Sequence, residues 1–232
     1  MENIFNKFDK IFCINLEERT DRWQECLLNF EKYNITNYER IDAVKIQEQI
    51  NPKRKGQIGC CLSYAKTIEK AIQENLNQFL ILEDDFYFTD EKDILNIKLT
   101  QSFNELPNNW DLLYLGGTVG NFYGIQPMHK FTNNLYKLNC AHTTHSIAVS
   151  KNGALKIKDS FANKTHWYID LINNYEAIDV FLARDFQNKN NCFITSDLLC
   201  FQKPSYSNIE NTTLDYTQWM MQNFTFFKNQ IK

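Results

Sequence analysis

Glycine and proline are scarce in this chain, seven and four among 232 residues, and neither an internal repeat nor a low-complexity linker is present. A basic surplus is also missing. Lys and Arg number 25 against 28 Asp and Glu, for a formal net charge of −3, which argues against broad nucleic-acid binding. No long apolar run exists; segments such as Phe79–Leu82 fall far short of the roughly 20 residues a bilayer helix needs. No membrane span is therefore expected. The N-terminal apolar stretch, 11–16, is interrupted by Asn15 and preceded by acids and lysines, too short and polar for a secretory signal. The seven cysteines form no Cys-x-x-Cys pair. With Cys13 on an expected strand and Cys60-Cys61 on an expected helix, they read as buried free thiols in a reducing compartment, here the cytoplasm. Walker, Rossmann and Gly-x-Ser-x-Gly patterns are absent as well.

What remains is ordinary globular material. Hydrophobic residues make up 43%, charged residues 23% and aromatics a high 14%, enough for a substantial core without staples. The first half alternates strand and helix. Residues 10–16 have a strand's length, and 21–33 carry helical spacing through Trp23, Leu27 and Phe30, with Asp21 and Gln24 as a capping box. A strand is expected over 38–44, a loop over 45–55 around Pro52, and a helix over 58–72. Phe79–Leu82 reads as a strand buried on both faces, 92–103 as a helix and 111–115 as another buried strand. The second half is less regular, with strands at 135–138, 146–150 and 192–199 and helices after Ser150 and over 177–186. Residues 213–228 form an expected amphipathic helix rich in aromatics, which either covers the core or mediates a homodimer. One α/β domain over 1–232 follows, its sheet mostly parallel at first and mixed afterwards.

The sharpest feature is Phe79-Leu80-Ile81-Leu82-Glu83-Asp84-Asp85. Three adjacent carboxylates at the C-terminal end of a buried strand sit where open α/β sheets place their ligands. They repel one another, so they are either a well-solvated turn or the seat of a divalent cation that admits an anionic diphosphate. After the first strand, Asn15-Leu16-Glu17-Glu18-Arg19-Thr20-Asp21-Arg22 puts two arginines at a helix N-terminus. That end prefers anions; the arginines either pair with local acids or await an anionic ligand. Gly56-Gln57-Ile58-Gly59-Cys60-Cys61-Leu62-Ser63 offers close backbone approach and a hydroxyl. Cys140-Ala141-His142-Thr143-Thr144-His145 resembles half of a zinc site without its other half; its histidines read as pocket residues, or one as a ligand for a cation at the acidic triplet.

In order, these motifs resemble the family 25 glycosyltransferases, which include bacterial lipooligosaccharide galactosyltransferases and collagen galactosyltransferases. The resemblance runs through Ile14-Asn15-Leu16 with Arg19-Thr20-Asp21-Arg22, Arg40-Ile41-Asp42-Ala43, Gly56 to Ser63 and the acidic triplet. It continues through Trp110-Asp111-Leu112-Leu113-Tyr114-Leu115-Gly116, Thr144-His145, Ser150, Gly153-Ala154 and Ile178-Asp179. It departs at Tyr64, where the family often has His. The resemblance implies a GT-A-type α/β fold with a mixed, mostly parallel sheet flanked by helices, and an inverting transfer from a UDP-sugar. The acceptor would be a glycan or a glycosylated or hydroxylated protein. A manganese or magnesium ion would be held by Asp85 with Glu83, and by His145 as a third ligand. Asn15, Leu16, Arg19, Arg22, Ser63, Glu83 and Asp84 would hold the donor, and Asp179 or Asp170 would serve as base. Two rival readings remain, an inactive GT-A-like domain that binds a glycan or partner and a nucleotidyltransferase.

Overall fold

The structure, a computed structural model, describes residues 2–207 and 212–231; residues 1, 208–211 and 232 lie outside the described residues. After a 3-10 turn (Ile4–Lys7), the elements in chain order are β1 (Lys10–Asn15), α1 (Thr20–Lys32), β2 (Tyr38–Asp42), α2 (Pro52–Gln73), β3 (Gln78–Glu83), β4 (Phe86–Phe88), α3 (Lys92–Glu105) and β5 (Leu112–Tyr114). There follow β6 (Thr118–Val119), β7 (Met128–Lys130), β8 (Leu135–Leu138), β9 (Ala141–His142), β10 (Ser146–Ser150), α4 (Lys151–Asp159), α5 (Trp167–Asn174) and α6 (Ile178–Phe181). A π-helical turn (Leu182–Phe186) continues α6 and leads to β11 (Cys192–Thr195), β12 (Cys200–Gln202), β13 (Ser205–Ser207), β14 (Thr212–Leu214) and α7 (Thr217–Gln230).

An eight-stranded sheet in the order β2-β1-β3-β10-β5-β11-β8-β7 organises the chain. β1 is parallel to both β2 and β3, and β5 is parallel to β11. β10 is inserted antiparallel between β3 and β5, and β8 between β11 and β7. This is the mixed α/β sheet expected. Strand alternation divides its core in two. Phe12, Phe79, Ile81 and Ile147 pack beneath Tyr64 and Ile68 of α2, Ile157 of α4, Trp167 of α5 and Phe181 of α6. On the opposite face Ile11, Cys13, Leu80 and Leu82 pack beneath Cys26 and Phe30 of α1 and Leu95 and Leu99 of α3.

Several boundaries differ from expectation for identifiable reasons. α2 starts at Pro52, inside the expected loop, because the Asn51 side chain accepts from the N–H groups of Lys53 and Arg54. Proline then occupies the first helical turn, where its missing N–H costs nothing. The capping box at Asp21 does not form. Arg19 is the N-cap residue, and its guanidinium fork holds both Asp21 oxygens at 3.0 and 2.8 Å. Ser150 does cap α4, its Oγ accepting from Gly153 N at 3.0 Å. The C-terminal helix begins at Thr217, four residues late, because residues 212–214 are extended as β14. Its Met220 and Phe224 are buried in the first core. Among the described residues, no helix is long and apolar enough to cross a membrane.

Candidate active site

β1, β2 and β3 are parallel neighbours, so the loops leaving their C-terminal ends converge. They line a cleft of about 490 Å³. Leu16, Arg19 and Arg22 come from the β1–α1 turn, residues 43–47 from the segment after β2, Gly59, Cys60, Ser63 and Tyr64 from α2, and all three acids from the end of β3. Gln202, Lys203 and Tyr216, far along the chain, complete the wall. This is the location open α/β sheets use for ligands.

Glu83 closes β3 and Asp84 and Asp85 form the turn after it, and the first two acids face opposite sides of the sheet. Asp84 turns to the α1 side, where Asn15 Nδ2 donates to one oxygen at 2.6 Å and Arg22 Nη1 to the other at 2.6 Å. Asn15 also donates to the Arg19 carbonyl at 3.2 Å, tying the turn to the triplet. Glu83 turns to the α2 side. Its Oε1 accepts from Tyr64 Oη and from Thr144 Oγ1, both at 2.9 Å. Asp85 is held more loosely, by Gln202 Nε2 at 3.4 Å and Arg22 at 3.5 Å. Burial, then the charge of Asp85, pushes the Glu83 carboxyl up to about 7 despite its two hydroxyl donors. Burial also pushes Asp85 up to about 6; Arg22 opposes the rise and Asp84 adds to it.

The other expected donor-binding residues stand around this centre. The Leu16 carbonyl accepts from Arg19 N at 2.9 Å and from Arg40 Nη2 at 3.3 Å, closing the turn. Ser63 lines the cleft, but its hydroxyl is committed inward: it accepts from Val44 N at 2.8 Å and donates to the Gly59 carbonyl at 2.6 Å. Gly59 permits that approach, since a Cβ there would stand 2.4 Å from the Val44 carbonyl oxygen.

The structure does not bring the His145 imidazole to the acids. His145 is buried, its Nε2 lies 3.1 Å from the Cys200 carbonyl, and burial drives its pKa down to about 4. A carbonyl only accepts, so Nε2 carries the proton and the ring is neutral. Gly116 leaves room for it, because a Cβ there would lie 2.9 Å from Nε2 and collide with the Cys200 carbonyl. Asp170 is also remote in its bonding, accepting from Asn163 N at 3.1 Å. Asp179 is different. Its Oδ2 accepts from Thr143 N at 3.2 Å and lies 3.3 Å from His142 Nδ1. Burial works to raise its pKa, but His142 and the N–H groups of Thr143 and Val180 outweigh that and lower it. One short segment thus reaches both carboxylates, Thr144 bonding Glu83 and Thr143 bonding Asp179. Thr143 adopts φ +64°, a left-handed conformation rare for a β-branched residue and a kind of strain that clusters at functional sites.

Sequence reasoning missed Tyr64, Thr144 and His142 as partners of these carboxylates, although each sits inside or beside a motif it had singled out. Gln202, Lys203 and Tyr216 carry no local signal. A divalent cation fits the donor chemistry at the triplet. Among the described residues no three His, Cys, Asp or Glu side chains form a ready cage. Ions of the magnesium type, however, take one or two carboxylates and complete their shell with water and phosphate oxygens. Asp85 and Glu83, buried carboxylates that repel one another, have the donor chemistry of such a pair.

An α/β sheet carrying carboxylates and arginines over one strand-end cleft is an architecture for phosphate-ester ligands. The chain belongs to glycosyltransferase family 25 (LPS biosynthesis protein), whose family model matches residues 8–172. Over 170 residues it is 26% identical to procollagen galactosyltransferase 2 of Mus musculus, an alignment covering 65% of this chain and 27% of that protein. It is also 26% identical, over 130 residues, to the inactive glycosyltransferase 25 family member 3 of Homo sapiens, covering 47% of this chain and 22% of the relative. The chain therefore spans about a quarter of the length of these relatives. Among solved structures, a mannose-1-phosphate geranyltransferase from Thermus thermophilus aligns with TM-score 0.49 at 8% identity, over 80% of this chain and 72% of that one.

Proposed function

We propose that this domain is an inverting hexosyltransferase that moves galactose or glucose from a UDP-sugar to a hydroxyl of a glycan or of a glycosylated or hydroxylated protein. The observation that carries the reading is the division of labour in the triplet. Asp84 has both oxygens bound at 2.6 Å by Asn15 and Arg22, whereas Asp85 is held only at 3.4 and 3.5 Å and Glu83 through Oε1, so Asp85 and Glu83 are the acids suited to a manganese or magnesium ion. That ion would supply charge neutralisation to the diphosphate of the donor. Arg19, together with Lys45 and Lys55 of the cleft wall, suits the same diphosphate. Leu16 and Val44 offer apolar surface to the base, and Asp179 stands on the acceptor side, joined to the metal side through Thr143 and Thr144. The free state of all seven cysteines is in keeping with a cytoplasmic setting, and the reading takes 1–232 as one domain.

Thermal unfolding tests the reading. UDP should raise the melting temperature only when manganese is present, and Asp85→Asn should lose that protection while melting normally on its own. UDP release from UDP-galactose or UDP-glucose should need the same metal. Metal-independent protection by UDP, or undiminished protection in Asp85→Asn, would remove Asp85 as a ligand. A second reading is favoured by the match to an inactive family member: a domain that binds without transferring sugar. It predicts metal-dependent UDP protection with no UDP release from any UDP-hexose.

A further inference from the structure

Around the Asp179–His142 pair lies an aromatic surface that the donor cleft does not use. Phe122, Tyr123 and Trp219 are 37%, 38% and 45% exposed, unusual for large rings placed side by side. They are contiguous. The Tyr216 and Trp219 rings lie 6.2 Å apart, Trp219 and Phe122 6.5 Å, and Phe122 and His142 4.5 Å. Tyr123 Oη lies 3.2 Å from His142 Nε2. One end of this row, Tyr216, lines the nucleotide cleft; the other ends at a histidine whose opposite nitrogen faces a carboxylate. Asp179 fixes the roles of the two nitrogens, since Nδ1 donates to Oδ2 and leaves Nε2 as the outward acceptor. The Tyr123 hydroxyl, on an exposed turn, stands where another hydroxyl could stand.

We propose that this row is the acceptor subsite: a pyranose ring stacks on Trp219 and Phe122 and presents its hydroxyl to His142 Nε2, with Asp179 as the positioning residue. The proposal rests on the hexosyl-transfer reading. In the step, the acceptor oxygen bonds the anomeric carbon of the donor sugar as the bond from that carbon to the UDP phosphate oxygen breaks. The electron pair leaves on UDP, and the acceptor proton goes to Nε2. Aromatic rings suit the apolar face of a sugar while their polar tips stay hydrated. The continuity with the cleft through Tyr216 delivers that sugar beside the donor and not elsewhere on the surface.

Saturation-transfer NMR tests the subsite on the full chain, with methyl β-galactopyranoside and methyl β-glucopyranoside as probes, with and without UDP and manganese. A galactosylated serine peptide forms a further arm; tighter binding of the peptide would assign a glycoprotein source, equal binding a glycan. Ring protons of the bound sugar should receive saturation, and Trp219→Ala or Phe122→Ala should weaken binding about three- to tenfold with UDP binding unchanged. His142→Gln should lower kcat about 10²–10⁴-fold. Asp179→Asn should do the same through His142, with Asp179→Glu restoring part of the rate and melting temperatures held close to that of the parent. Unaltered glycoside binding in both aromatic variants, no saturation of any probe, or near-normal kcat in His142→Gln would overturn the proposal. Failure of UDP to bind in any condition would instead defeat the donor reading, because the glycoside arm is read without UDP.

Discussion

Glu83 and Asp85 are carboxylates the fold would prefer to keep neutral, the first pushed up to about 7 and the second to about 6, burial being the main cause for both. A carboxyl whose pKa rises on folding stabilises the native state while it is protonated. That contribution is whole below the ordinary values of 4.5 and 3.8 and is lost as pH climbs through about 7 and about 6, where the unfolded chain binds fewer protons than the native one. The metal-free protein should therefore weaken between mildly acidic and mildly alkaline pH. Glu83→Gln should flatten that decline, raising the urea midpoint relative to the parent at pH 8 and changing it little at pH 5. Manganese with UDP should restore the parent at pH 8 and leave Glu83→Gln less improved. Parallel pH curves for the two proteins would show that Glu83 is not the strained group. The Tyr64 position matters in the same terms: a tyrosine can donate to Glu83 and stay neutral, with burial raising its own pKa well above the ordinary value.

At the scale of elements, α7 answers the question its composition raised. Met220 and Phe224 are buried, and the Phe224 ring meets Tyr136 edge-on at 6.1 Å. Lys228 Nζ anchors the last turn on the Ser196 carbonyl at 2.6 Å. Met221 and Phe226 lie 54% and 56% exposed on the other side. Phe224→Ala should therefore cost about 3–5 kcal/mol of stability, whereas Phe226→Ala should stay within about 0.5 kcal/mol; chemical denaturation of both variants measures the contrast. Deleting the chain from Thr213 onward should cost solubility and folding, because it strips one core of its cover. A well-folded truncation would show that the helix is dispensable, and a clean change from dimer to monomer would show that its exposed face is an interface. At the other end of the fold, Asn51→Ala should destabilise by about 1 kcal/mol through the lost cap of α2.

Over the whole molecule, what could be read in the sequence is what depends on neighbours in the chain. Phe79 to Asp85 announced both a doubly buried strand and its acidic terminus, and Ser150 announced the cap of α4. The start of α2 was hidden because Pro52 signals a break equally well as a first helical residue, and only the Asn51 side chain decides between them. The partners of Glu83 and Asp179 were hidden because Thr143 and Thr144 reach them across the sheet, through the antiparallel placement of β10 that no local pattern encodes. The same layering makes a prediction about the thiols. Cys13, Cys26, Cys61, Cys140, Cys192 and Cys200 are buried, whereas Cys60 is only partly so and lines the cleft. A disulfide reagent applied to the native protein should find Cys60 first, and slowly, since burial and the charge of Glu83 push its thiol well above its ordinary pKa and the thiolate is the reactive form. All seven thiols should react in guanidinium. UDP with manganese should slow the native reaction, and Cys60→Ser should abolish it. Rapid reaction of several thiols in the native protein would mean that the helices do not cover the sheet as described. Reaction at Cys60 that ignores UDP and manganese together would separate the nucleotide from this cleft.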